Sequence, residues 1–212
     1  MSPQATTIRF GGQDFPPETK VIDLVNVRPV TLAPLGDLPN LQELRLHHTD
    51  PHSAPGGALL DLSVLRRCPA LTTVEIPKQN VRSLDGLDGH QALLTVDVSF
   101  TRVADLAPLA GLPSLTVLRL RHTQVGSVEP LASVLTLEEL DIAHSRVADI
   151  SALTRLPALG SLDLRASRVT DVGVLADMPA LRKVVVQRLE VDRSAVERLR
   201  DSRPDIEIVS DR

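Results

Sequence analysis

A period of 22 residues runs through this chain and restricts its possible folds more than any other feature. Six leucines lie 22 residues apart, and each opens a segment of the form L-x-x-L-x-L or close to it: Leu71, Leu93, Leu115, Leu137, Leu159 and Leu181. The next position in this frame is Arg203. A segment this short cannot bury its own apolar face, so its stability must come from stacking on its neighbours. The sequence therefore predicts a solenoid.

The spacing of apolar residues within a turn predicts its local structure. Leu118 and Leu120 are two residues apart, which places both on one side of a short strand and Arg119 on the other. Later in each turn the spacing becomes three, which suits a 3-10-like return better than a full α-helix. A proline recurs before the next turn, where a connector tolerates its missing N–H: Pro39, Pro69, Pro113, Pro157 and Pro179. From Thr19 onward nine turns fit this frame, the last one truncated.

These residues carry a family resemblance. The motif L-x-x-L-x-L-x-x-(T/S)-x-V resembles the leucine-rich repeat. Its length of 22 residues, with x-x-L-x-x-L-x-x-L-P following, is similar to the short class found in bacterial internalins and in a protein phosphatase regulatory subunit. The likeness covers Thr19 to Val209. It implies an α/β fold, a right-handed solenoid with a parallel β-sheet on the concave face and short 3-10 or irregular returns on the convex face.

One column departs from the family pattern. Where the family usually places Asn, to form a ladder of side-chain to main-chain bonds, this chain has mostly hydroxyl residues: Thr49, Gln79, Thr101, Thr123, Ser145 and Ser167. A hydroxyl can still bond a nearby main-chain group, though more weakly than an amide. We interpret the column as a variant ladder and not as a row of catalytic serines.

The composition favours an intracellular binding protein. A formal net charge of −4 and a pI near 5.9 argue against a general nucleic-acid footprint. No long apolar run occurs in the first 20 residues or later, so we expect no signal peptide, no membrane partner and a cytoplasmic location. The single cysteine, Cys68, falls in an apolar column and is interpreted as a small buried hydrophobe.

The whole chain, 1–212, is expected to form one domain with capped ends. Residues 1–18 form the N-terminal cap, in which Ile8, Phe10 and Phe15 could provide an extra strand or flap over the first turn. Residues 19–193 hold the repeats. Residues 194–212 form a C-terminal cap of helix and strand, with a capping-box signature at Ser194 and Glu197.

Candidate binding residues lie at the outward positions of the strands, which the repeat leaves free. Nearly every residue between two strand leucines is charged, including Glu207 in the last turn. Stacked strands lie about 4.8 Å apart, so acids and bases of successive turns should be neighbours. The predicted concave patch comprises Arg45, His47, Glu75, Asp97, Arg119, Arg121, Asp141, Asp163 and Arg165. A self-satisfied solvated face is the alternative, because exposed ion pairs contribute little.

Three further candidates share a column at the strand ends: Phe100, His122 and His144, with His48 in the same frame. Two adjacent histidines without an obvious third ligand do not meet the needs of a metal site. A pH-sensitive binding rim is the alternative use of this column. The sequence predicts no metal and no cofactor.

One turn breaks the period. Leu41 and Leu71 are 30 residues apart, eight more than the rule, and the excess lies near residues 50–61, where Pro and Gly indicate a loop. Insertions in repeat proteins often map to the binding face, which makes His52, Leu59 and Leu60 candidates. A tolerated surface loop is the alternative, because added loop length costs little. Leu59 and Leu60 either pack back against the repeat or offer an apolar contact to a partner.

Three functional hypotheses remain. The leading one is a non-enzymatic protein-binding module, an adaptor, inhibitor or immunity-type protein, which holds a protein partner of unknown identity in its concave face. The second is a self-associating scaffold, so the chain would be a monomer or a weak homodimer. The third is a metal-dependent enzyme using concave Asp and His residues, but no G-x-S-x-G, H-E-x-x-H or G-x-x-x-x-G-K motif supports it. We therefore expect no catalytic residues.

Overall fold

A nine-stranded parallel sheet organises the molecule. The structure is a computed structural model that describes residues 7–50 and 56–211. The strands of the sheet follow one another in chain order: β3 (Val21–Val25), β4 (Glu43–His47), β5 (Thr73–Glu75), β6 (Thr95–Asp97), β7 (Val117–Arg119), β8 (Glu139–Asp141), β9 (Ser161–Asp163), β10 (Lys183–Val185) and β11 (Glu207–Val209). Each strand pairs with the next turn of the chain, as the solenoid prediction requires, so the predicted architecture is confirmed.

The repeat spacing determines the register. Leu118 of β7 lies opposite Leu140 of β8, and both are buried, whereas Arg119 lies opposite Asp141 on the outward side. Because no strand shifts against its neighbour between β3 and β10, equivalent residues of successive turns form straight columns. The inward columns join into one continuous apolar core that extends from Ile8 to Ile206.

The returns on the opposite side are short. In the described part of the chain they contain 3-10 helices at Ala33–Asp37, Ser63–Arg67, Ala107–Leu109, Glu129–Ser133, Ser151–Arg155 and Gly173–Asp177. A side chain two residues earlier accepts the first N–H of several of them; Asp105 Oδ1, for example, accepts the N–H of Ala107 at 2.8 Å. In the turn from Leu71 a tight bend at Gly86 replaces the helix. A Cβ at Gly86, whose φ is +107°, would lie 2.1 Å from the Leu62 carbonyl oxygen.

The two buried columns interpreted from the sequence have the expected structural roles. Cys68 is fully buried, its Sγ lies 3.2 Å from the Leu35 carbonyl oxygen, and burial raises the pKa of its thiol to about 11. In the hydroxyl column, Thr123 Oγ1 donates to the Leu120 carbonyl at 2.7 Å, and Ser145 Oγ accepts the N–H of Val147 at 3.3 Å. These bonds stay within one turn, while main-chain bonds join the turns.

A column of left-handed residues follows the strands and was not predicted from the sequence. Positive φ values between 51° and 61° occur at Asn26, Lys78, Phe100, His122, His144, Ala166 and Arg188. Each of these residues lies near the end of a tight turn; the N–H of Ser145, for example, donates to the Ile142 carbonyl at 3.2 Å. A type II turn demands φ > 0 at its third residue, and Asn and His tolerate this better than most side chains. In the sequence, Asn26, His122 and His144 are the residues that could have indicated this left-handed column.

A hairpin packs against the N-terminal end of the core. Strands β1 (Ile8–Phe10) and β2 (Gln13–Phe15) form an antiparallel hairpin, and Ile8 and Phe10 join the core while Phe15 packs against it.

The C-terminal end differs from the sequence-based prediction in two ways. Helix α1 spans Arg193–Ser202, so Asp192 and not Ser194 is its N-cap residue, and no side chain caps it. The Ser194 hydroxyl instead accepts from Arg198 at 3.2 Å. Because α1 is longer than the 3-10 returns, the register of the last strand is shifted by two residues from the 22-residue frame. Glu207 pairs with Lys183, and Val209 takes the outward position that the frame assigned to Glu207.

Ala166→Gly should stabilise the protein. Ala166 has a φ of +51°, and a left-handed backbone costs a residue with a Cβ about 1–2 kcal/mol. Glycine removes this cost but gains entropy in the unfolded chain, so we expect a net increase of about 0.5 kcal/mol in the free energy of unfolding, measured by urea titration. Ala148→Gly, at an exposed position without a positive φ, is the matched control and should lower it. Equal losses in both variants would contradict this interpretation.

Candidate functional site

The register brings the predicted concave charges together. Asp97, Arg119, Asp141 and Asp163 lie directly opposite one another on β6 to β9. However, Arg119 does not bridge the aspartates on either side. Its Nη2 donates to Glu139 Oε1 at 2.8 Å, a diagonal pair that reaches back toward the start of β8. The expected alternating ladder of ion pairs is therefore replaced by a pair that includes Glu139, a residue absent from the predicted patch.

The three concave aspartates have a structural partner each. Asp97 Oδ1 accepts the N–H of Ser99 at 2.8 Å, and Asp141 Oδ1 accepts that of Ala143 at the same distance. Asp163 Oδ1 accepts the N–H of Arg165 at 2.9 Å. A buried main-chain N–H without an acceptor would destabilise the fold, so these carboxylates help to end the strands. Their orientation is fixed before any partner arrives.

Burial and crowding affect two of these carboxyl groups. Burial raises the pKa of Asp97, although hydrogen bonds from Ser99 oppose the change. Burial also raises the pKa of Asp141; the N–H of Ala143 opposes this, and the neighbouring Asp163 carboxylate adds to it. The Asp141 and Asp163 carboxylates therefore repel each other, and burial is the larger effect on the pKa of Asp141.

A second charged cluster occupies the N-terminal half of the concave face. Arg45 forms ion pairs with Glu43 and, through Nε at 3.0 Å, with Glu75. His47 Nε2 lies 3.9 Å from both Asp23 Oδ1 and Glu75 Oε2. The predicted residues Arg45, His47 and Glu75 thus form one network that also includes Glu43 and Asp23, and neighbouring strands place its members in register.

The next outward column contains Arg121 and Arg165. Arg165 Nη2 lies 3.6 Å from Asp163 Oδ2. The Nε atom of Arg165 is buried without a hydrogen-bond partner, and it is the one such side-chain N or O atom found among the residues that the structure describes. Arg121 lies close enough to Asp141 to favour the charged form of that carboxyl group.

Three of the predicted ring residues form a stack along the solenoid. The ring centroids of Phe100 and His122 are 4.6 Å apart, those of His122 and His144 are 4.0 Å apart, and the rings are nearly parallel. Lys78 Nζ lies 5.6 Å from the Phe100 centroid on the neighbouring turn. His48, which the sequence placed in the same column, instead approaches Gln79 with 3.2 Å between their Nε2 atoms.

The stacked histidines resist protonation. Burial lowers the pKa of His122, and the nearby His144 and Arg121 lower it further. Burial also lowers the pKa of His144, with Arg121, Arg188 and Arg165 adding to the effect and Asp163 opposing it. In the ranges 7–50 and 56–211 no three His, Cys, Asp or Glu side chains converge as metal ligands would.

The two leucines of the insertion lie in different surroundings. Leu60 is only 3% exposed and belongs to the core, and its N–H donates to the Asn80 carbonyl at 2.9 Å, so its proposed surface role is wrong. Leu59 is 56% exposed and remains a candidate contact. Gly56 forms a parallel bridge with Gln79, which ties the end of the insertion to the solenoid. His52 lies outside the described residues.

Two other features bear on function. A cavity of about 680 Å³ lies at the C-terminal end between α1 and β11, lined in part by Val186, Leu189, Val196, Ile208 and Arg200. The described ranges contain no helix of the length and apolarity that a bilayer crossing requires.

Solved structures share this fold. Internalin C2 from Listeria monocytogenes is similar with a TM-score of 0.75 and 26% identity, over 90% of this chain and 80% of that one. A second internalin of the same bacterium has a TM-score of 0.71 and 19% identity, over 93% of this chain and 63% of its own. A leucine-rich-repeat protein of Leptospira interrogans has a TM-score of 0.72 and 15% identity, over 89% of this chain and 54% of its own. No protein-family model and no curated protein matches the sequence. The predicted leucine-rich-repeat solenoid is confirmed.

Asp141→Asn and Asp141→Ala should have different effects on stability. The asparagine oxygen can still accept the Ala143 N–H, and it removes the buried charge beside Asp163. At pH 7 we expect unchanged or higher stability for the asparagine variant and a loss of about 1 kcal/mol for the alanine variant. Because its folded-state pKa is raised, the contribution of Asp141 to wild-type stability falls as pH rises above about 3.8, so the advantage of asparagine should shrink on acidification.

Urea unfolding at pH 7 and pH 4 measures both effects. Asp149→Asn is the control: exposed Asp149 makes the same contact, to the N–H of Ser151, which holds the pKa of its carboxyl group below the ordinary value. Its asparagine variant should lose stability at pH 7. If Asp141→Asn lost as much as Asp141→Ala, the hydrogen bond would not be the important contact.

His122→Phe should make the protein less sensitive to acid. The pKa values of His122 and His144 are lowered in the folded state, so the unfolded chain binds more protons and stability is lost as pH falls below about 6.5. Phe100 occupies the same column with a φ of 59°, which indicates that phenylalanine fits this backbone. We expect a smaller drop in melting temperature between pH 7.5 and pH 5 than in the wild type. An unchanged drop would mean that the stack does not sense pH.

Proposed function

We propose that this leucine-rich-repeat solenoid is a protein-binding module of adaptor, inhibitor or immunity type, and that its concave face holds the partner. Leucine-rich-repeat folds commonly mediate protein binding, and the similarity to internalins and to a Leptospira repeat protein supports that general role. The partner and the mode of action are the proposed part.

The observation that carries the proposal is the fixed orientation of the concave charges. The aspartates Asp97, Asp141 and Asp163 are held by main-chain N–H groups, and Arg45 and Arg119 are held by glutamates. Side chains that are already ordered lose less entropy when a partner binds. Charged groups in a fixed pattern favour specificity and fast association more than raw affinity.

The same geometry favours recognition over catalysis. A general acid or base must be free to exchange a proton with a bound substrate. Asp97 and Asp141 each use one oxygen to accept a main-chain N–H, which gives these carboxylates a structural role, and the rings of His122 and His144 stack on each other. These arrangements suit a rigid surface that reads the charge pattern of another protein.

Neutralising two concave arginines should remove the partner without unfolding the protein. Arg45→Gln combined with Arg119→Gln eliminates the positive charges from the centre of each concave cluster. The three ion pairs of these arginines are partly exposed, so their loss should change stability little. We expect proteins captured by the wild type from a native lysate, quantified by mass spectrometry, to be lost by this variant, while its melting temperature stays within a few degrees.

The matched control is Arg155→Gln with Arg182→Gln. These exposed arginines pair with Glu129 and Asp205 away from the concave face, so the control loses the same charge and two ion pairs, against three in the concave variant. It should retain the partner. Equal capture by the wild type and the concave variant would reject the concave face as the binding surface.

A further inference from the structure

Arginines collect along the edge where the middle strands end. In four consecutive turns the residues just beyond the strands, 99–102, 121–124, 143–146 and 165–168, contain five arginines and no Asp or Glu. We call these residues the arginine ridge: Arg102, Arg121, Arg146, Arg165 and Arg168. Main-chain bonds keep the turns in step here, since the N–H of Arg146 donates to Val125 and that of Arg168 to Val147.

The ridge arginines differ from several arginines on other surfaces in having few ion pairs. On other surfaces Arg9, Arg66, Arg67 and Arg155 each have a carboxylate within 4.0 Å. Along the ridge only Arg165 has one in the described part of the chain, at 3.6 Å. Five like charges on turns about 4.8 Å apart repel one another, and this repulsion is relieved when an anion binds.

Two observations show that this edge is short of negative charge. The buried Arg165 Nε–H has no acceptor, and buried donors without partners are rare in native proteins. The neighbouring histidines lie in the same positive surroundings: after burial and the effect of His144, Arg121 lowers the pKa of His122, and after burial Arg121, Arg188 and Arg165 lower that of His144. An external carboxylate close to these guanidinium groups would supply the missing negative charge.

The ridge favours an acidic protein segment over a nucleic acid. Sequence-tolerant binding of single strands relies on aromatic faces on which bases stack. Here the rings cover one another: His122 lies between Phe100 and His144, and Lys78 lies near the Phe100 ring. The concave aspartates lie beside the ridge and would repel a continuous phosphate backbone, whereas single carboxylates can each meet one guanidinium in a bidentate contact.

We propose that the arginine ridge binds an extended acidic segment of a protein partner, which runs along the solenoid axis across the four turns. Four turns span about 14 Å, which equals the rise of about four to five extended residues. The inference rests on the protein-binding function proposed above, and it adds the charge of the partner and the edge of the sheet that the partner follows.

Fluorescence anisotropy with short peptides tests the proposal. The probe is a labelled ten-residue peptide of alternating Glu and Ser, and its control has Gln in place of Glu. We expect the Glu peptide to bind, to bind more weakly as salt is raised, and to lose roughly tenfold in affinity to Arg146→Glu with Arg168→Glu. Arg155→Glu with Arg198→Glu changes the net charge equally away from the ridge and should bind as the wild type does.

Four results would overturn the proposal: no binding of the Glu peptide, equal binding of the Gln peptide, equal loss in the control variant, or tighter binding of a ten-nucleotide oligothymidylate. The last result would indicate a nucleic-acid surface. A second measurement follows the Arg165 Nε–H signal by NMR, which should move only with the Glu peptide. Arg45 and Arg119 lie outside the ridge, so the two proposals can fail separately. If the Glu peptide does not bind but the concave variant still loses its partner, the ridge alone is rejected.

Discussion

The stacking of one turn on the next through parallel main-chain hydrogen bonds is the constraint on which the rest of this structure depends. The bonds continue past the strands. The N–H of Leu120 donates to the main-chain carbonyl of Asp141 at 2.8 Å, and that of His122 donates to the carbonyl of Ala143 at 2.9 Å. A single 22-residue turn has an apolar row but nothing to cover it. Leu118 is completely buried because the neighbouring turns place Val96 and Leu140 beside it in register.

The same ladder explains why the concave face is both charged and ordered. At the end of a middle strand, the N–H of a residue such as Ser99 or Ala143 points away from the next turn and takes a carboxylate from its own strand as acceptor. The bond keeps that carboxylate close to the main chain. Burial there raises the pKa values of Asp97 and Asp141, and the hydrogen bond itself opposes this rise. A face used for binding can therefore also contribute to folding, and its charges remain fixed in direction.

Charge is divided between two neighbouring strips of the surface. The middle of the concave face contains the aspartates, and the edge two to five residues further along the chain contains the arginine ridge. The net charge of −4 conceals this division, because it is a sum over the whole chain. A partner with a matching pattern would meet attraction on both strips, whereas a uniformly charged polymer would be repelled by one of them.

The sequence predicts the core well because burial is periodic. Leu118 and Cys68 are buried where their columns require, and the strands, the short returns and the outward positions follow from the same spacing. It predicts the site only as columns of candidates. It does not predict that Arg119 pairs with Glu139, because that contact runs diagonally between columns and depends on side-chain reach. It also places Leu60 among the surface candidates, although the residue packs into the core.

By itself, then, the amino-acid order determines how often the chain turns and which side chains face inward, since both follow from the repeated burial of apolar residues. Only the tertiary structure decides the two-residue slip at Glu207, the left-handed backbone at His122 and His144, and the choice of partner for each charged side chain. These features depend on distances and directions between neighbouring turns. A longer terminal helix, a tight turn and a main-chain N–H in need of an acceptor set them, and the spacing of apolar residues indicates none of the three.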